Sequence, residues 1–306
     1  MEEQVYILKN VKSFEPKHVF ECGQCFRWDP EVDGSYTGIV GENVINVSKS
    51  QNDIIIKGSF KDNIKDVCTK YFDLETDYEN IKEKLSTIDI NMKTSIEYGN
   101  GIRILHQNIW ESLISFIISA NNNIPRIKGI IERISKKYGK EIEWNNKKYY
   151  TFPTSDELSK ASIKELRMLG LGFRDSRVFE TTKIVNNKEI SLQELEKIED
   201  INVLREELLK FPGVGPKVAD CIMLFSMKKY DVFPIDVWVK RVMTELYVKE
   251  LIQENNKLLS QKEQYKQVSE ISNKKILQLA ENKFGELAGV AQQYLFYWRR
   301  ELEKKS

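Results

Sequence analysis

The chain has 306 residues, 41% of them hydrophobic and 30% charged, with a formal net charge of +1. That composition describes an ordinary globular protein with apolar surface enough for one large domain or two to three small ones. No stretch approaches the roughly 18 uninterrupted apolar residues of a membrane span. The opening MEEQVYILKNVKSFEPK has neither a basic n-region nor an apolar h-region. A cytoplasmic location is therefore expected, nucleoid-associated if the source is bacterial. The near-zero charge is awkward for a nucleic-acid binder, but local patches and helix N-termini can hold phosphates without it.

Up to about residue 95 the pattern is strand-like. Gly34–Val40, Asn43–Val47 and Asp53–Lys57 cluster β-branched residues between Gly, Asn and Asp punctuation, which predicts an antiparallel sheet closed by a helical segment near Asp77–Ser86. Beyond Gly101 the chain turns helical. Trp110–Ala120 is apolar nearly all round and reads as a buried helix. Arg126–Tyr138, Ser155–Leu169 and Asp175–Val185 are amphipathic at helical spacing, with Ser155 or Ser162 as N-caps. Further helix-compatible segments fill 186–210, and 217–228 makes another helix. The polar stretch 249–275 reads as a helix with solvated faces or an insertion, and 249–280 as a variable region. The last helix, Glu286–Arg300, carries Tyr294, Phe296, Tyr297 and Trp298. The expected fold class is α+β: an N-terminal antiparallel β domain over 1–100, then a helical domain over 101–306.

Of the four cysteines, Cys22 and Cys25 have CxxC spacing. No second CxxC or histidine pair follows to complete a zinc site, so the plain reading is two small residues beside a loop, in a reduced compartment.

The most informative segment is Phe211-Pro-Gly-Val-Gly-Pro-Lys-Val-Ala-Asp220. Gly213 and Gly215 permit positive φ on either side of Val214, predicting a tight hairpin between two helices. Pro216 suits the first turn of the second helix. Such a hairpin exposes backbone N–H groups at a positive helix end, a cradle for phosphate. Lys217 sits in that first turn, where the dipole disfavours an ammonium and favours a nucleophilic amine. Downstream, Asp236 in Val232-Phe-Pro-Ile-Asp-Val-Trp238 is placed to cap the next helix. It serves either as that cap alone or as a carboxylate facing the Lys217 end, stabilising positive charge on a sugar.

The run Phe211–Trp238 resembles the helix–hairpin–helix, Gly/Pro-rich loop and aspartate signature of a DNA-repair glycosylase superfamily. With Lys217 it resembles the bifunctional members, and Cys22-Gly-Gln-Cys-Phe-Arg-Trp28 extends the resemblance to the 8-oxoguanine DNA glycosylase/AP lyase branch. The likeness covers about residues 20 to 300. It implies that Lys217 and Asp236 are catalytic, and that Gly23 lends a bare carbonyl to the lesion. 8-Oxoguanine has a proton at N7 where guanine has a lone pair, so that carbonyl accepts from one and repels the other. It further implies that Asn121 fills the gap left by the flipped base, while Arg126 and Arg174 fork onto the orphaned cytosine. Phe173, where relatives often have tyrosine, wedges by stacking. Gln292 and Phe296, four apart on the last helix, can read and stack on the flipped purine, with Cys221 against its other face. Trp238 stands where a histidine is common two residues after the branch's aspartate, and the resemblance implies a DNA contact at that position.

The implied partner is double-stranded DNA containing oxidised guanine, opposite cytosine, met by a monomer with no membrane association, no metal and no cofactor. Two alternatives stand beside this reading. One is a monofunctional glycosylase for another lesion such as an alkylated purine, in which Lys217 has no role. The other is a non-catalytic DNA-binding module that uses the hairpin for phosphate contact alone.

Overall fold

The structure is a computed structural model, and it describes residues 3–248 and 271–304. Five strands, β1 (Glu3–Leu8), β2 (Trp28–Pro30), β3 (Tyr36–Val40), β4 (Asn43–Ser50) and β5 (Asp53–Ser59), form an antiparallel sheet in the order β1-β5-β4-β3-β2. The pairs Tyr36↔Val47 and Val47↔Ile56 set its register, so Ile45, Val47, Ile54 and Ile56 fall into one fully buried cluster with Phe20, Trp28 and Phe72. Period-two alternation is the reason: every second residue of β5 faces the core. The Trp28 indole stacks on Phe20 at 3.9 Å and donates from Nε1 to the Tyr71 hydroxyl at 2.8 Å. Its ring lies across Gly38, where a Cβ would meet it at 2.4 Å. That close approach, not a turn, is why β3 tolerates a glycine in its middle.

A second, two-stranded sheet was not expected. β6 (Glu141–Trp144) and β7 (Lys147–Tyr150) pair through Asn145 and Asn146, both at positive φ of 53° and 58°. Two left-handed residues are what a type I′ hairpin demands, and asparagine tolerates them. Ile142 and Trp144 pack on Val44 of the larger sheet.

The buried helix runs over Ile109–Ser119, followed by Ile124–Tyr138. The single helix expected over Ser155–Leu169 is divided in two, Ser155–Ser159 and Ile163–Leu166. Two capping boxes in succession, Thr154 with Glu157 and Ser162 with Glu165, start a helix twice within nine residues. Thr154, not Ser155, is therefore the first cap. A π-helical turn over Arg167–Leu171 follows, broken at Gly170 with φ +96°. Helices Asp175–Asn186, Ile201–Leu209 and Pro216–Met227 continue the chain.

Two compact units emerge. One comprises Met1–Asp77 with Gly101–Lys228; the other joins Tyr78–Asn100 to the described residues from Lys229 onward. The helical segment 78–100, placed with the β domain in the sequence reading, is counted in the second unit. There the Ile90–Tyr98 helix packs on Ala288–Glu303, with Tyr98 and Tyr297 rings 5.8 Å apart. Phe233 stacks on Phe284 of the Asn273–Phe284 helix at 6.3 Å. The readings of 249–275 and 249–280 lie outside the described residues as far as residue 270. Among the described residues no helix is long and apolar enough to cross a membrane.

Candidate nucleic-acid interface and base-excision site

The hairpin forms as a turn between the helices Ile201–Leu209 and Pro216–Met227, with Phe211 buried beneath it. Only one of its glycines takes positive φ. Gly213 is left-handed at +91°, and a Cβ there would meet Arg177 Cδ at 2.9 Å and Ile117 Cγ2 at 3.2 Å. Gly215 departs from the expectation. It is extended, at φ −103°, because it is the N-cap of the following helix, and nothing lies within 4 Å of its Cβ position. Gly213 is needed by the turn, whereas Gly215 leaves open space at the helix start.

Lys217 lies one residue into that helix, half-buried, with no hydrogen bond or ion pair to a described residue. Its Nζ stands 5.4 Å from the centroid of Phe116. Phe116 in turn stacks on Phe225 at 5.7 Å and meets the edge of Phe26 at 5.5 Å. The amine is thus held over an apolar ring rather than in an ion pair. Cys221, one turn further along the same helix, is buried and in no disulfide.

Within Cys22–Trp28 only Gly23 is not buried, and it adopts φ +91°. The neighbouring Gln24 was not singled out from sequence, yet it fixes the loop. Fully buried, its Nε2 donates to the carbonyls of Val19 at 2.9 Å and Arg103 at 2.8 Å. Its Oε1 accepts from Leu105 N at 2.8 Å, and its own carbonyl accepts from Gln107 Nε2 at 2.7 Å. Gln107 N donates to Phe225 O at 2.9 Å, tying this loop to the end of the lysine-bearing helix. Cys22 and Cys25 are buried and not joined in a disulfide, and burial pushes the Cys25 thiol well above its ordinary range. Among the described residues no three His, Cys, Asp or Glu side chains are placed to hold a metal ion.

The three consecutive asparagines divide their work. Asn122 Nδ2 donates to Ile118 O at 3.1 Å, closing the buried helix. Asn123 caps the next one, accepting from Arg126 N at 3.0 Å. Asn121 takes φ +50° and leaves its side chain exposed. Arg126 is exposed as well, with a single long contact from Nη2 to Gly170 O at 3.4 Å. Phe173 is 53% exposed, but Arg174 is 1% exposed. All three Arg174 guanidinium nitrogens donate to backbone carbonyls: Nε and Nη2 to Ala120 O at 2.8 and 2.6 Å, Nη2 also to Asn121 O at 2.6 Å, and Nη1 to Leu171 O at 3.2 Å. Expected as the second arm of a fork, Arg174 here straps the Asn121 turn to the Phe173 turn.

In the second unit, Asp236 is the cap that its position allowed: Oδ1 accepts from Val239 N at 2.7 Å. Half-buried, it uses one oxygen for that bond. Trp238 carries the Arg241 guanidinium 5.1 Å from its ring. On Ala288–Glu303, Gln292 is 5% exposed and its buried Oε1 has no hydrogen-bond partner among the described residues. Phe296 is half-buried, 5.2 Å from the Arg300 guanidinium, while Tyr294 and Tyr297 are core.

A glycine hairpin feeding a helix with lysine in its first turn, followed by an aspartate-capped helix, defines a helix–hairpin–helix protein of the kind that grips DNA backbone. Comparison with known proteins agrees. Residues 6–113 match the 8-oxoguanine DNA glycosylase N-terminal domain, and residues 114–276 match the HhH-GPD superfamily of base excision DNA repair proteins. An N-glycosylase/DNA lyase of Saccharomyces cerevisiae is 34% identical across 91% of this chain and 81% of its own. The Clostridium acetobutylicum 8-oxoguanine glycosylase/lyase, in complex with dsDNA containing cytosine opposite 8-oxoG, matches with a TM-score of 0.88 at 44% identity. That match spans 99% of this chain and 98% of that one. A 3-methyladenine DNA glycosylase of Archaeoglobus fulgidus has a TM-score of 0.74 at 21% identity, covering 97% and 99% of the two chains, a likeness of fold alone. The chain belongs to the HhH-GPD superfamily of base excision DNA repair proteins, in its 8-oxoguanine DNA glycosylase branch.

Proposed function

We infer that the chain is a bifunctional DNA glycosylase/AP lyase that removes 8-oxoguanine opposite cytosine through an imine on Lys217. The observation that carries this reading is the lysine itself: a half-buried amine in the first turn after the hairpin, with no carboxylate or carbonyl claiming it among the described residues. A module that only gripped phosphate has no need of such a group, and neither does a monofunctional enzyme.

The steps follow from the residues. Asp236, holding the helix cap with Oδ1, supports the positive charge that builds on the sugar as the base departs with the electrons of its glycosidic bond. The Lys217 nitrogen forms a bond to C1′, and opening of the sugar ring gives the protonated imine. That imine acidifies C2′; loss of a C2′ proton expels the 3′ phosphate, and water returns the lysine. Gly23, the accessible residue of an otherwise buried loop, supplies the carbonyl that accepts from N7–H of the lesion. The orphaned acceptor of Gln292 suits the N–H donors on a purine's Watson–Crick edge, since an unfilled buried acceptor costs about 1–3 kcal/mol. Phe296 and Cys221 face the base, and Asn121, Arg126 and Phe173 meet the distorted duplex.

The test is borohydride trapping on duplex DNA with 8-oxoguanine opposite cytosine. Wild-type protein is expected to form a covalent complex and Lys217→Gln to form none. Intact substrate and no trapped complex with the wild type refute the lyase reading.

A further inference from the structure

Beside the exposed Phe173 stands an arginine that the motifs do not name. Arg177 lies in the first turn of the helix Asp175–Asn186, half-buried. Its aliphatic stem passes over the hairpin: Cδ and Cβ are the first atoms a side chain at Gly213 would strike, at 2.9 and 3.2 Å. Its guanidinium stands 5.3 Å from the centroid of Phe173, whose ring also carries Arg174 at 4.2 Å.

The two arginines are treated differently by the protein. Arg174 donates from every guanidinium nitrogen to backbone carbonyls. Arg177 makes no hydrogen bond or ion pair with any described residue. A guanidinium held by its stem and its π-face, with its N–H fork unclaimed, is organised for an external acceptor. The neighbourhood says which. Arg174 stands close enough to both Arg126 and Arg177 to feel their like charge, and the hairpin beneath presents backbone N–H groups at a helix start. Every feature favours an anion, and the planar fork matches two non-bridging oxygens of one phosphodiester.

We propose that Arg177 binds a DNA phosphate, joining the hairpin's grip on the strand to the Phe173 wedge. The contact rests on the DNA-repair reading above and deepens it. Because the stem is fixed on Gly213 and the ring of Phe173 stacks beside the fork, strand grip and wedge insertion share one side chain. The contact carries no sequence information, since phosphates are the same at every step.

The experiment measures equilibrium binding of the full chain to a duplex with a tetrahydrofuran abasic analogue opposite cytosine, which the lyase cannot process, over a range of salt concentrations. Each phosphate contact contributes about 0.9 to the slope of log K against log salt. Arg177→Gln is expected to lower that slope by about one and to weaken binding about tenfold at moderate salt. Arg177→Lys, which keeps a point charge on a similar stem, is expected to restore the slope. An unchanged slope in Arg177→Gln overturns the proposal, whether or not affinity falls. So does a fall that the lysine variant shares, because lost packing on the hairpin is then the cause. Wild-type protein that does not distinguish this duplex from undamaged DNA refutes the DNA-repair reading itself, a different failure.

Discussion

The loop that carries Gly23 and the surface that carries Asn121, Arg126, Phe173 and Arg177 are built in opposite ways. In the loop, Cys22 and the residues Gln24–Trp28 are buried, and Gln24 alone makes four hydrogen bonds, three of them to groups about eighty residues away. On the surface, Asn121, Arg126 and Phe173 are exposed, and their free ends are claimed by little or nothing. Yet the surface is not loose: the side chains of Asn122, Asn123 and Arg174 all bond to its backbone. The difference suits the function proposed above. Telling a lesion from guanine by one proton needs a carbonyl fixed in place, whereas meeting a bent duplex needs free donors on a firm base.

The largest effect tests the first half of that contrast. Gln24→Ala strips partners from the buried Leu105 N–H and from the Val19 and Arg103 carbonyls. A cost of about 3–5 kcal/mol in unfolding free energy is expected, measurable by denaturant titration. At a permissive temperature the variant is expected to lose discrimination between 8-oxoguanine and guanine more than its ability to process a preformed abasic site. Equal losses on both substrates place Gln24 in general stability rather than in holding Gly23.

The hairpin gives a smaller and more pointed test, because its two glycines differ. Gly213→Ala puts a side chain at φ +91° and against Arg177 and Ile117. It is expected to cost about 1–3 kcal/mol. Gly215→Ala meets no neighbour within 4 Å in an extended backbone, so its cost in stability stays below about 1 kcal/mol. If its open space admits a phosphate, the same variant still weakens DNA binding. Melting temperatures and binding isotherms on both variants separate the two roles. A Gly215→Ala protein with wild-type affinity removes the phosphate cradle from that side.

What sequence could show follows the same division. The strands of the larger sheet were legible because β-branched runs alternate between clear turn residues, and the hairpin before Lys217 because Gly213 suits a left-handed turn and Pro216 a helix start. The β6–β7 hairpin was missed: its alternation is diluted by Lys147 and Lys148, and its turn is Asn-Asn rather than Asn-Gly. The break at residues 160–162 was written in two consecutive capping boxes, but the amphipathic period ran through it and hid it. The roles of Gln24, Arg174 and Arg177 were illegible for a physical reason. Gln24 acts on residues about eighty positions away and Arg174 on carbonyls more than fifty positions away. No local pattern distinguishes a buried strap from an exposed reader, so the two members of the Arg126–Arg174 pair looked alike.

That pair offers the sharpest test. With Arg174 bound to Ala120, Asn121 and Leu171, the proposed function assigns reading of the opposite base to Arg126, which is exposed. A bidentate base contact is worth about 1–3 kcal/mol of discrimination. Arg126→Gln is therefore expected to reduce the preference for cytosine over adenine opposite 8-oxoguanine by that amount, with the melting temperature unchanged. Arg174→Gln is expected to do the reverse in kind: it leaves two turns unstrapped, lowers the melting temperature and slows excision opposite every base alike. Single-turnover rates with each opposite base decide it. A preference that collapses in Arg174→Gln and survives in Arg126→Gln would mean that Arg174 leaves its carbonyls on meeting DNA, and that the contrast between a strapped arginine and a presented one holds only in the free protein.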